Sequence, residues 1–350
     1  MTELKVNDNK KITIYDIAEE AGVSISTVSR VLTGSAGVRA SNREKVQQLI
    51  DKYNFRPNAL ARGLSETKRK VIGIIVPDIR NSFYADLYMA CDQTAHNMGY
   101  SLFLENSLSR LETELSQLEL MEEQRVDAII LVGGRVDDLY SNREYVEKVN
   151  QLSNTTPIIV VGKLDGTSCH QIRIDAIRSM DIIMDHLFML GHEDIAIIGG
   201  YDEIAASFEK RQRYKQLLHK NQIAYYKEFC ENYGGYDFPT GYRKMNALFD
   251  SGHIPTAVIA INDTTALGIM QSIQEHGLQI PDDISVISYD NTSICNMIRP
   301  KLTSVDYNYE IFAEKIISTT IAVCEHQDMP MLQLIAPSLV VRSSTGFCKK

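Results

Sequence analysis

From Val71 onward the chain alternates near-continuous apolar runs with amphipathic stretches, and this alternation constrains the fold more than any other feature. The runs are VIGIIVP (71–77), YSLFLEN (100–106), VDAIILVGG (126–134), TPIIVVG (156–162), DIAIIGG (194–200), PTAVIAIND (255–263) and DISVISYD (283–290). A strand that is apolar throughout needs cover on both faces. Intervening helices supply that cover, so the runs predict parallel sheets in an α/β body. So many units exceed one comfortable domain, and two similar α/β lobes are expected.

The first seventy residues read differently. Thr13 precedes IYDIAEEA, in which Ile14, Ile17, Ala18 and Ala21 form one apolar stripe. Thr13 is the expected N-cap, with Asp16 at the capping-box position and Gly22 in the place of a C′ residue. Ser24 is placed to cap a second helix over Ile25–Leu32. A third is expected from Ser41 to about Tyr53, ahead of FRPN. Two short helices about a glycine turn, with a third closing the core, is the helix-turn-helix pattern. Residues 1–12 are expected to be a disordered tail. NALARGLSETKRK, from Asn58 to Lys70, is too short and too polar to fold alone.

Charge divides at the same place. Residues 1–70 hold 13 Lys/Arg against 8 Asp/Glu, and the remainder holds 23 against 37. A basic head on an acidic body points to an anionic partner for the head. No run of about 18 apolar residues occurs and the polar N-terminus lacks a signal-peptide core, so a cytoplasmic protein is expected. The six cysteines are widely spaced, without CxxC or His/Cys ligand spacing; buried reduced thiols, and neither metal nor cofactor, are expected.

With a helix-turn-helix head, a hinge-like segment and a two-lobed α/β body in this order, the chain resembles the LacI family of bacterial regulators. The resemblance is carried by TIYDIAEEAGVSISTVSRVL, by REKV followed by FRPNALARGL, and by IGIIVPDIRNSFYADL. Further along it is carried by LGHEDIAIIGG, PTAVIAINDTTALGIM, and DISVISYDN with RPKLTSV. It implies a body like the periplasmic sugar-binding proteins: two Rossmann-like lobes joined by three crossovers, near residues 173–175, 297–301 and 326–330. The first lobe would then hold about 71–173 and 299–327, and the second about 174–298 and 328–350.

The resemblance also gives the second helix a task. Its side chains Ile25, Ser26, Thr27, Ser29 and Arg30 face away from the apolar stripe and would reach the major groove. Arg30 can bond O6 and N7 of guanine. Ile25 and Ser26 occupy the family positions that set operator sequence. Thr13, Ser24, Thr27 and Ser29 would hold phosphates, and Ser24 and Thr27 would serve equally as helix caps. Asn58–Ser65 matches the family hinge helix. Eight residues with Gly63 among them make a marginal helix in water. Folding against DNA would set Asn58 and Arg62 on the duplex and Leu64 as a minor-groove wedge.

In the body, ligands bind in the crevice at the carboxyl ends of strands. PDIRNSFYADL puts Asn81, Ser82, Phe83 and Tyr84 at such an end; INDTTALG puts Asn262 and Asp263 there, and ISYDN puts Asp290 there. Short Asn and Asp side chains suit a ligand rich in hydroxyls, though they equally cap helices. By resemblance Tyr236 packs against the ligand and Arg211 bridges ligand and lobe, with Tyr214 standing where relatives carry glycine. Tyr309 is a further lining candidate.

Three functional classes follow. The first is a homodimeric repressor of carbohydrate genes, released from a pseudo-palindromic operator by a sugar or sugar phosphate. Within the same family, PDIRNSFYADL and MIRPKLTSV resemble the catabolite control branch, which implies a phosphorylated carrier protein as partner and Arg299 as its phosphoserine contact. A sugar-binding transport protein would share the body but has no use for the head. An enzyme is not expected, since GxSxG, HExxH, Walker A and a GxGxxG after the first strand are all missing from the sequence.

Overall fold

The computed structural model describes residues 12–32, 37–55, 69–231 and 234–349. They fall into two units, divided between Arg69 and Lys70.

Among the described residues the head has three helices: α1 (Ile14–Ala21), α2 (Ile25–Leu32) and α3 (Ala40–Lys52). Local chemistry sets each boundary. The Thr13 hydroxyl accepts the Asp16 N–H and the Asp16 carboxylate accepts the Thr13 N–H at 2.7 Å, the reciprocal capping box. Gly22 then turns the chain at φ 65°, a left-handed geometry that glycine adopts without strain. Ser24 accepts the Thr27 N–H at 3.3 Å and starts α2. Ile17, Ala18, Ala21, Val28, Val31 and Val46 close a small core drawn from all three helices. Lys52 and Tyr53 both reach Glu20, at 2.9 and 2.8 Å, and tie α3 to α1. The expected hinge, with Asn58, Arg62 and Leu64, lies outside the described residues, as does the tail.

The body contains two sheets. In chain order its elements are β1 (Val71–Val76), α4 (Ser82–Asn97), β2 (Ser101–Asn106), α5 (Leu111–Glu123), β3 (Ala128–Val132), α6 (Arg143–Ser153), β4 (Ile158–Val161) and β5 (His170–Ile174). Then come α7 (Ala176–Met189), β6 (Ile195–Ile198), α8 (Ala205–Lys220), α9 (Phe238–Ser251), β7 (Ala257–Ala260), α10 (Asp263–Glu275) and β8 (Ser285–Tyr289). β9 (Thr303–Asp306), α11 (Tyr309–Cys324), β10 (Leu332–Ile335) and β11 (Ser338–Val340) finish the chain; one-turn helices at 134–137, 227–230 and 294–297 are left unlabelled. The first sheet runs β10-β5-β4-β3-β1-β2 and the second β11-β9-β8-β7-β6. All seven apolar runs became strands, and all pair in parallel.

Two expectations need correction. The sheets are not wholly parallel, because β11 runs antiparallel to β9. The crossovers also lie elsewhere. The first, between Ile174 and Ala176, is where the resemblance put it. The second falls between Asp306 and Tyr309, and the third between Ile335 and Ser338, rather than at 297–301 and 326–330. The third moves because β10 pairs with β5 at the edge of the first sheet, and the second because of β9, which pairs with β8 inside the second sheet although its residues are TSVD. Its polar side chains are satisfied within the lobe, Ser304 by the Asp263 carboxylate at 2.8 Å and Thr303 by Thr345 at 3.2 Å. A strand so composed does not read as interior.

In the second lobe α9 and α10 cross at glycine. A Cβ on Gly268 would lie 2.1 Å from the Phe238 carbonyl oxygen, and one on Gly241 2.0 Å from that of Thr265. Only hydrogen fits between these backbones, and the contact fixes both helix N-termini at the lobe boundary.

Candidate nucleic-acid interface and ligand cleft

α2 is amphipathic by construction. Val28 and Val31 are buried, while Ser24, Ile25, Ser26 and Arg30 are exposed and Thr27 and Ser29 are half-buried. Ile25, an apolar side chain on an otherwise hydroxyl-bearing turn, is left 42% exposed and, among the described residues, stands outside the head's core. Ser24 bonds Ser26 at 2.8 Å and Thr27 at 2.9 Å. The three hydroxyls therefore cluster at the positive end of a helix, beside amide N–H groups that no preceding turn can satisfy; that end suits phosphate. Thr13, also exposed, marks the equivalent end of α1.

In the body, a cleft of about 610 Å³ opens between the lobes. Asp78, Asn81, Tyr84, Ser109, Arg135 and Asp137 line it from the first lobe, and Ile204, Tyr236, Asp237 and Thr264 from the second. A narrower hollow lies deeper, walled by Phe83, Tyr84, Asp137, Arg173, Ala205, Glu209 and Phe312. Of the expected ligand residues, Phe83, Tyr84 and Tyr236 therefore face cavities. Asn81 lines the outer cleft and caps α4 through the Phe83 N–H at 3.1 Å.

Others stand behind the wall. Asn262 caps α10 through the Thr265 N–H at 2.8 Å and donates to the Tyr236 carbonyl at 2.9 Å, so it positions a lining residue. The Asp263 carboxylate accepts from Ser288 at 2.5 Å, Ser304 at 2.8 Å, and the Thr292 N–H and hydroxyl at 2.7 and 2.9 Å. Those four bonds occupy its lone pairs and tie α10 to β8, β9 and the loop after β8. Arg211 is 1% exposed and donates to the carbonyls of Cys230 and Gly199, holding two loops of the second lobe together. Tyr214, in the usual glycine position, fills its space in the core and donates to the Ile195 carbonyl at 2.6 Å. Asp290 sits at the end of β8 with φ 98°, and its carbonyl accepts the Tyr309 hydroxyl at 2.9 Å across the lobe boundary.

Asp137 escaped the sequence reading, although the glycine pair after β3 in LVGGRVDD marks a strand end of the kind searched. Burial pushes its carboxyl up to about 7, against the lowering effects of the Lys163 amide and Arg173. A carboxyl poised there can donate to or accept from a sugar hydroxyl. The cations of the cleft are already engaged: Arg80 with Asp78 at 2.7 Å, Arg135 with Asp138 at 3.2 Å and Arg173 with Glu209 at 2.9 Å.

Comparison with known proteins bears on both sites. Residues 13–58 match the bacterial regulatory proteins of the lacI family, and residues 184–345 match the periplasmic binding protein-like domain. Catabolite control protein A of Priestia megaterium is 34% identical over 296 residues, 84% of this chain and 87% of the relative. The chain belongs to the LacI family. Catabolite control protein A of Staphylococcus epidermidis is 33% identical to it over 296 residues, the same share of each chain. Among solved structures, the lac repressor dimer bound to operator and the anti-inducer ONPF superposes with a TM-score of 0.86 at 27% identity, covering 96% of this chain and 100% of that one. The catabolite control protein of Lactococcus lactis shares the fold, with a TM-score of 0.70 over 79% of this chain and 98% of that one at 23% identity. This LacI-family chain is thus a DNA-binding transcriptional regulator, its head on α2 and its periplasmic-binding-like body around the cleft. Among the described residues no helix is long and apolar enough to cross a membrane.

Proposed function

We propose that the protein is a homodimeric repressor of carbohydrate-utilisation genes, acting in the cytoplasm without enzymatic activity, and that a sugar or sugar phosphate in the cleft releases it from a pseudo-palindromic operator. The observation that carries this reading is the 610 Å³ cleft, walled by Tyr84 and Tyr236 and edged with carboxyl, amide and hydroxyl groups, in a chain whose head is of the lacI type. Aromatic faces against the apolar side of a sugar ring, with a few placed polar groups, suit a carbohydrate. Ile25, Ser26 and Arg30 read base edges, Thr13, Ser24, Thr27 and Ser29 hold phosphates, Asn58 and Arg62 meet the duplex, with Arg62 on backbone phosphate, and Leu64 is the wedge in the minor groove. The effector weakens operator binding only by its differential affinity for the two lobe arrangements.

A second reading has its own support. Arg299 is exposed beside a surface groove formed with Phe238, Leu267, Met270 and Ile298. The relatives named above are catabolite control proteins. A phosphorylated carrier protein would set its phosphoserine on Arg299 and tighten DNA binding.

Fluorescence anisotropy of a labelled operator fragment, over a salt series, separates the readings. Selective, steeply salt-dependent binding that one sugar releases supports the repressor. Binding that no sugar alters and a seryl-phosphorylated carrier protein strengthens supports the second reading. Affinity unchanged in Arg30→Ala would overturn both.

A further inference from the structure

Among the described residues, the cations that line the cleft and the hollow beneath it are each matched to a carboxylate of their own. Arg80 pairs with Asp78, Arg135 with Asp138, Lys163 with Asp165 at 3.2 Å, and Arg173 with Glu209. Asp137 and Asp237 line the same space in excess of these pairs, so the balance of the walls is negative. The amide ends of the helices that start here are occupied too. Asn81 caps α4, the Asp237 carboxylate accepts the Thr240 N–H at 3.0 Å on α9, and Asn262 caps α10. The start of α8 meets the first lobe through the bridge between Ile204 and Asp138.

The pair at the rim is the most complete of the four. Arg80 donates from Nε to Asp78 at 2.9 and 3.2 Å and from Nη2 at 2.7 Å, and its backbone N–H adds a bond at 3.0 Å. Two planar groups meet fork to fork, and the guanidinium holds the Asp78 carboxyl below its usual range. Arg80 is otherwise exposed, and Asp78 is what keeps it from swinging into the cleft. Further in, the Nε of Arg135 is buried without a hydrogen-bond partner among the described residues. It offers one N–H on a charge already balanced, which suits a hydroxyl or ring oxygen.

We propose that Asp78 sets the charge selectivity of the cleft: by holding Arg80, it makes the site accept an uncharged sugar and reject the same sugar carrying a phosphate. The inference rests on the reading of the cleft as a carbohydrate site. A phosphate brings about two negative charges to walls whose cations are spent. It would face the excess carboxyls, or take Arg80 and leave Asp78 uncompensated beside it.

Isothermal titration calorimetry of the full-length protein, at mildly alkaline pH and constant ionic strength, tests this with matched pairs. The probes are glucose, fructose, ribose and trehalose, each against the monophosphate of its primary hydroxyl. The sugar that binds most tightly is expected to bind at least about tenfold more strongly than its phosphate. In Asp78→Asn, which keeps the shape and releases Arg80, that ratio falls at least about fivefold, whatever happens to either affinity alone. Adding Arg80→Ala returns the ratio to within about twofold of the wild type, because the released cation and not altered packing makes the difference. A phosphate that binds the wild type as tightly as its parent sugar overturns the proposal and leaves the carbohydrate reading standing. An unchanged ratio in Asp78→Asn overturns it as well, as does a lowered one that Arg80→Ala fails to restore. Binding of neither member of any pair overturns the carbohydrate reading and the proposal with it. Asp78→Ser serves in the same comparison if Asp78→Asn does not fold.

Discussion

At the scale of residues, identical chemistry serves opposite ends depending on what surrounds it. Asp263 and Asp137 both sit at the lobe boundary, yet one is saturated with hydrogen bonds and the other is poised near neutrality. Their substitutions separate accordingly. Asp263→Ala removes the acceptor of four buried donors and is expected to cost about 3 kcal/mol or more, measured by urea unfolding of the body. Asp137 behaves in the opposite sense. Its carboxyl is raised in the fold, so the native state holds its proton more tightly than the unfolded chain does. Stability therefore declines as pH rises from about 4 toward 7 and levels off above. Asp137→Asn lifts that decline: its melting temperature exceeds the wild type's by about 3 °C at pH 8, and the difference closes by pH 4 to 5, in a scan across pH. Strand-end Asn and Asp residues were legible from the sequence as a group. Their division into lining and supporting members was not, because it depends on which hydroxyls arrive from β8 and β9.

Elements show where pattern suffices and where it fails. α1 and α2 are legible to the residue because their boundaries are made by neighbours in sequence: Thr13 with Asp16, Gly22, and Ser24 with Thr27. The seven long apolar strands are legible because nothing but a doubly covered sheet tolerates them. β9 is not, since its polar residues find partners more than 40 positions away. α8 is a similar case: the resemblance makes Arg211 a bridge to ligand, while in the fold Lys210, Arg211 and Tyr214 are all buried. The α9–α10 crossing gives a test at this scale. Gly268→Ala forces the Phe238 carbonyl aside and is expected to destabilise by about 1–3 kcal/mol, read by denaturant midpoint, with a loss of ligand affinity as the N-termini of both helices move.

For the molecule as a whole, the division of charge noted in the sequence coincides with the division into units. The head has its own core, from Ile12 to Phe55, and the body has larger ones. Residues 70–350 produced alone are therefore expected to unfold cooperatively, with a melting temperature close to the full chain's, and to show no selective operator binding by anisotropy. Fold class and domain order were legible because they follow from coarse repetition. The exact crossovers were legible only in part: the first falls where the resemblance put it, the second is displaced by the polar strand β9 and the third by β10, which joins the first sheet.

The interleaving of the lobes bears on how the chain is made. The first sheet takes its edge strand from Leu332–Ile335, after nearly all of the second lobe, and α11 covers that sheet from Tyr309–Cys324. On the ribosome, residues 70–174 must wait, partly uncovered, until the last strands emerge. Among the described residues, the core of the head is complete by Phe55. A nascent chain thus gains the packed core of its DNA-binding head long before its body can close.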